Sequence, residues 1–152
     1  MANRIPAFIM AGNEGSVINA LGHTAREKVT SDQTGGAYYV FDVISPPGLG
    51  VPTHVHRFED EVLFVADGEI EVSLGGLQSR VGPGSVANFA QGTPHAFRNV
   101  GLTPAKTIWF ICPGTSFQVF FRKLAQVPPG PPDLPRLSAL CAEHGMTLLP
   151  SS

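Results

Sequence analysis

The spacing of apolar residues changes character twice along the chain. Residues 37–45 (AYYVFDVIS) are aromatic and β-branched and stop at Pro46-Pro47-Gly48, which predicts a strand. Residues 61–65 and 69–74 predict two more, joined through an Asp67-Gly68 pair that favours a tight hairpin. Gly75-Gly76 and Gly82-Pro83-Gly84 turn the chain again, and residues 78–81, 85–90, 95–100 and 106–112 continue the series. Short strands at intervals of about 8–12 residues predict a sandwich or barrel. Ahead of residue 37 the alternation weakens, and one or two edge strands are expected there.

Beyond residue 112 the period becomes helical. Phe117, Phe120, Phe121 and Leu124 fall at i, i+3, i+4 and i+7, so a helix is predicted over about 116–126, with Thr115 or Ser116 as its cap. Pro128-Pro129-Gly130-Pro131-Pro132 stops it. Asp133 caps a second helix over about 134–144, with Pro135 in its first turn, Gly145 at its end, and Leu134, Leu137, Leu140 and Cys141 as its apolar side. Both helices are expected on the outside of a barrel whose core spans about 37–112. The whole chain, 1–152, reads as one domain.

Composition narrows the partners. Hydrophobic residues make up 43% of the chain, too many for disorder, and a net charge of −2 provides no basic field for nucleic acid or an anionic membrane. No apolar run approaches the roughly 18 residues that span a bilayer. The stretch 7–11 is too short for a secretory signal, so a cytoplasmic location is expected. Cys112 and Cys141 make no disulfide framework and are expected as small buried residues.

The candidate chemistry sits on histidines. His54 and His56 project from one face of a strand, which makes half of a metal site. Glu59, Asp60 and Glu61 follow. Parity on an unbroken strand selects Asp60, whereas Glu61 fits only if the chain breaks or bulges within 57–60. Periodicity leaves that choice open. His23 and His144 are expected to be solvated or locally hydrogen-bonded, Asn99 to stabilise a turn, and Arg98 to point outward. No nucleophile elbow, phosphate loop, dinucleotide fingerprint or HExxH sequence is present.

These residues fall into a larger pattern. Gly48, five residues, His54-Val55-His56, four residues, Glu61, six residues and Gly68 match the first cupin motif. Gly84, five residues, Ala90-Gln91-Gly92, two residues, His95, three residues and Asn99 resemble the second. Ala90 replaces the usual proline and Ser85 a frequent aspartate; neither position binds metal. The run HVHRFEDEVLFVADGE, the later GTPHAFRNVG and the helical ending are similar to small single-domain cupins related to quercetin 2,3-dioxygenase.

The resemblance implies an all-β double-stranded β-helix, the cupin jelly-roll barrel, with one or two C-terminal helices. It implies His54, His56, Glu61 and His95 as ligands of one divalent ion (Fe, Mn, Ni, Co, Cu or Zn), with Glu61 also taking a substrate proton. Phe41, Phe97 and Phe110 are candidate pocket residues, fitting a flat aromatic or small apolar ligand. The expected activity is a dioxygenase on a flavonol-like or other enolisable aromatic substrate. Alternatives are a non-redox isomerase, lyase or hydrolase on the same site, or a barrel that binds a small molecule without turnover. A homodimer is expected, because sheet edges in small barrels are often covered by pairing.

Overall fold

The structure is a computed structural model, in which residues 5–150 are described. Eleven strands and three helices follow one another among these residues. The strands are β1 (Val17–Ala20), β2 (His23–Val29), β3 (Tyr39–Ser45), β4 (Gly50–His56), β5 (Asp60–Asp67), β6 (Ile70–Leu74), β7 (Leu77–Val81), β8 (Val86–Phe89), β9 (His95–Asn99), β10 (Ala105–Cys112) and β11 (Met146–Leu148). A single turn of helix, α1 (Ser31–Thr34), precedes β3; α2 (Thr115–Leu124) and α3 (Leu134–Glu143) follow β10.

The strands form two antiparallel sheets, ordered β1-β2-β3-β10-β5-β8 and β11-β4-β9-β6-β7. They face each other as a jelly-roll barrel, and period-two alternation decides what lies between them. Leu63 and Val65 on β5, Trp109 and Ile111 on β10, and Val72 on β6 point inward and are buried. Burying an apolar side chain of this size is worth about 1.5–3 kcal/mol, so each strand's inward row anchors its register. Asn99, at the end of β9, is fully buried; its Nδ2 donates to the carbonyls of Ser45 and Thr103, and its Oδ1 accepts from the Gly101 N–H.

Two details place the metal-ligand candidates. β4 pairs with β9 through Gly50↔Arg98, Val51↔Phe97 and then His54↔His95, so one extra residue bulges at Pro52-Thr53. Proline suits that bulge because it needs no ladder donor. At Gly50 any Cβ would run into the Phe97 carbonyl, so this close approach of β4 to β9 requires glycine. Between β4 and β5 the chain breaks at residues 57–59, and β5 enters the opposite sheet.

The C-terminal helices do not lie on the outside of the barrel as expected. Phe117, Phe120, Phe121 and Leu124 of α2, with Leu137 and Cys141 of α3, line the barrel's internal cavity and roof it. The apolar stripe of α2 finds its partners there: Phe117 stacks on Phe41 at 5.8 Å and Phe121 packs on the same ring at 4.8 Å. Bonds across the helix fix its pose. Arg122 donates through Nε and Nη2 to the two oxygens of Glu27 on β2 at 3.1 and 2.8 Å, and Gln118 Oε1 accepts from the Ser31 N–H at 2.6 Å. Cys112 is exposed, against expectation, because β10 turns its even-numbered positions outward; Cys141 is buried. No helix among the described residues is long and apolar enough to cross a membrane.

Candidate metal centre

β4 carries His54 and His56 on one face, β9 places His95 beside His54, and β5 brings Glu61 in from the other sheet. One ligand atom from each lies within 4.8 Å of all the others. Two donors each about 2.1 Å from one ion stand at most about 4.2 Å apart, so the cluster fits a metal after a contraction of about half an ångström at its widest. Asp60 is elsewhere: it faces outward and accepts from the Gln91 N–H at 2.8 Å. Glu59 is buried behind His56, with Oε2 3.2 Å from His56 Nδ1.

Hydrogen bonds at the far side of each ring define what faces inward. His54 Nδ1–H donates to the Pro52 carbonyl at 2.8 Å and His95 Nδ1–H to the Thr93 carbonyl at 2.9 Å. A carbonyl oxygen only accepts, so in the neutral rings each Nε2 carries a lone pair. Those lone pairs converge on a carboxylate. Glu61 Oε2 is 2.7 Å from His95 Nε2 and 3.4 Å from His56 Nε2. His56 Nε2 is buried and has no hydrogen-bond partner. Nitrogens and a carboxylate oxygen this close share either a proton, as the 2.7 Å His95–Glu61 contact does in the metal-free cluster, or a cation. The donor set, three imidazole nitrogens and one carboxylate with no thiolate, suits a divalent transition ion or zinc.

In the metal-free cluster the buried groups shift one another. Burial alone would raise the Glu61 carboxyl, but His56, His95 and His54 around it outweigh that and hold it below the usual range. For His54 burial dominates and pushes the imidazole down to about 4, so it stands neutral at physiological pH. For His56 burial also pulls downward, yet the Glu61 and Glu59 carboxylates together exceed it and the ring is shifted up.

Beyond His54 and Glu61 lies a cavity of about 120 Å³, of the order that holds one small apolar molecule. Phe41 and Phe97 line it. Phe110 does not: it is 38% exposed and stacks on Tyr38 at 5.1 Å on the outer face. Its strand parity opposes that of Trp109, which takes the inward place. Residues that the sequence reading did not assign to the site also line the cavity or flank the donors. Trp109 stacks over Phe41, Phe89 packs on the His95 ring at 4.2 Å, and Phe117 of α2 stands 5.7 Å from the His56 ring. The i, i+3, i+4 stripe on α2 was the signal for Phe117. His23 is buried in the cavity wall, bonded to Ser45 Oγ at 2.9 Å and the Gly50 carbonyl at 3.2 Å. His144 lies away from the donors and meets Ser116 Oγ and Lys123 Nζ, both at 3.2 Å.

Comparison with known proteins bears on this geometry. Residues 41–111 match the Cupin domain family. The chain is 34% identical over 65 residues to quercetin 2,3-dioxygenase of Bacillus subtilis (strain 168), a stretch covering 43% of this chain and 19% of that protein. It is 30% identical over 67 residues to the tetracenomycin polyketide synthase protein TcmJ of Streptomyces glaucescens, covering 44% of this chain and 45% of that one. The matches thus span less than half the length of either relative. Among solved structures, KdgF from Halomonas sp. superposes with a TM-score of 0.66 at 18% identity, over 74% of this chain and 99% of that one, a likeness of fold. The family match encloses all four donors, and the two-sheet jelly-roll barrel is the fold the motif spacing implied.

Proposed function

We propose that this protein is a metal-dependent cupin dioxygenase acting on a small enolisable or aromatic substrate. The observation that carries the reading is the convergence of three tethered imidazoles and Glu61 at the end of a cavity whose wall is otherwise almost entirely apolar. Its support from relatives is the identity to quercetin 2,3-dioxygenase over the motif region. His54, His56, His95 and Glu61 hold the ion, which when bound supplies Lewis acidity and, for a redox-active metal, access to dioxygen chemistry. The aromatic walls from Phe41, Phe97 and Trp109 orient a flat ligand with its hydroxyl toward Glu61. The α2–α3 roof keeps bulk water from the donors. Glu61, held anionic by its histidine neighbours, is placed to accept the substrate's hydroxyl proton at a carboxylate oxygen.

A second reading uses the same donors without redox change, as an isomerase, lyase or hydrolase. Its support from relatives is the 30% identity to TcmJ, a polyketide synthase protein whose name carries no dioxygenase activity. Oxygen-electrode measurements on protein reconstituted in turn with iron, manganese, cobalt, nickel, copper and zinc, across a panel of phenolic and enolisable substrates, separate the two. We expect oxygen uptake with at least one redox-active metal and none with zinc. Full turnover with zinc in the absence of oxygen moves the assignment to the second reading, and no turnover with any metal leaves a binding protein. Metal analysis of variants tests the ligand set: Glu61→Ala should lose the ion and Asp60→Ala keep it.

A further inference from the structure

Three acidic residues in a row, Glu59, Asp60 and Glu61, take three different directions. Glu61 enters the donor cluster, Asp60 accepts from the Gln91 backbone, and Glu59 turns behind His56. The reason lies in the break at 57–59: Glu59 stands outside β4 and β5 and obeys neither strand's parity. Burying a carboxylate is costly unless charge or donors compensate it. Glu59 is 2% exposed, and His56 Nδ1, at 3.2 Å, is its hydrogen-bonding side-chain neighbour. The other two rings of the cluster lean on neutral backbone carbonyls, Pro52 and Thr93. His56 alone is backed by a charge.

We propose that Glu59 is an outer positioning carboxylate of the centre: it holds the His56 ring with Nε2 toward Glu61 and supplies the second negative charge that balances a divalent ion. This rests on the metal reading above. With three neutral imidazoles and Glu61 alone, a divalent ion buried here leaves one uncompensated positive charge; with Glu59 the buried assembly is neutral, which removes most of the penalty of desolvating it. The carboxylate also makes the His56 imidazole a stronger donor than its two partners. His56 is therefore the least replaceable of the three rings.

Cobalt(II) titration of the whole chain tests this, read by its visible absorption and by competition with a coloured chelator. Glu59→Gln keeps an amide oxygen to accept from His56 Nδ1 and removes only the charge; Glu59→Ala removes both. We expect cobalt affinity to fall about tenfold in the first and toward a hundredfold in the second, with an altered absorption band in Glu59→Ala. Asp60→Asn, which deletes the same charge one residue away but outside the cluster, should bind as the parent does. Thermal unfolding of the metal-free variants separates ligation from folding, because Glu59→Gln should melt within a few degrees of the parent. Equal cobalt affinity in the parent and Glu59→Gln would overturn the charge role. Equal affinity in the parent and Glu59→Ala would overturn the positioning role. A parent that takes up no cobalt would instead refute the metal reading itself.

Discussion

At the scale of single residues, orientation was legible where two groups share one strand and hidden where they do not. His54 and His56 share a face because strands have period two. Asp60 is what parity continues to from them, yet the chain breaks after His56 and restarts in the other sheet with Glu61 inward. No periodicity carries across such a break, so Glu61 was reachable only through motif spacing. His23 is hydrogen-bonded but not solvated: Thr24 beside it is exposed, while its own position is an inward one on β2. It is buried, and burial holds its imidazole below the ordinary histidine range near 6.5, the Gly50 carbonyl only partly opposing this. A depressed histidine binds fewer protons folded than unfolded, so its contribution is full above pH 6.5 and is lost as pH falls through that value toward the folded pKa. His23→Gln should therefore be less stable than the parent by about 1–3 kcal/mol at high pH, with a gap that narrows as pH is lowered. Urea unfolding of the metal-free proteins at a series of pH values measures it, and a constant gap would contradict the assignment.

At the scale of elements, the strand series from β3 to β10 and both long helices are legible in their periodicity, but only α3 is legible in its cap: α2 begins at Thr115, Gly114 is its N-cap, and neither Thr115 nor Ser116 caps it. Asp133 does accept from the Arg136 N–H at 3.1 Å, as an N-cap should. The destination of α2 was not readable, since a stripe says which face is buried and not against what. Nor was β11, whose three residues pair with β4 from beyond the helices and are too few for a pattern. The pose of α2 depends on a pair far apart in the chain, Arg122 and Glu27. Glu27 is 4% exposed, so losing its partner strands a buried charge, while the half-exposed arginine limits the cost. Arg122→Ala should lower stability by about 1–3 kcal/mol in urea unfolding. Arg122→Lys should recover only part of that, because an ammonium cannot make the two-pronged contact.

For the whole molecule, the outer face of the six-stranded sheet is uneven. Over β2 it is tied to the N-terminal segment, with Lys28 Nζ donating to the carbonyls of Ala11, Gly12 and Glu14. Over β10, β5 and β8 it is bare and apolar: Phe110, Phe64 and Val86 are 38%, 39% and 63% exposed, and Phe64 stands opposite Val86 in the ladder. Lys106 lies at one end of this face and Asp60 at the other. A second copy, turned about an axis across the strands, would set Lys106 of each against Asp60 of the other. We propose a homodimer through this face. Sedimentation at micromolar concentration should show a dimer that Val86→Glu converts to monomer with metal content unchanged; a parent that sediments as a monomer would refute it. Sequence could not reveal this patch, because outward apolar residues on a strand look the same whether water or protein covers them.

The roofing of the cavity by the C-terminal helices separates two kinds of information along the chain. The four candidate donors all lie between 54 and 95, whereas much of the lining of the cavity beside them lies between 117 and 141. Mutation can therefore explore new ligands in the second stretch while the first stays intact. A library randomised at Phe117, Phe120, Phe121 and Leu137 samples specificity on a constant reactive centre, and divergence among descendants of this barrel should accumulate in the roof before it touches the donors.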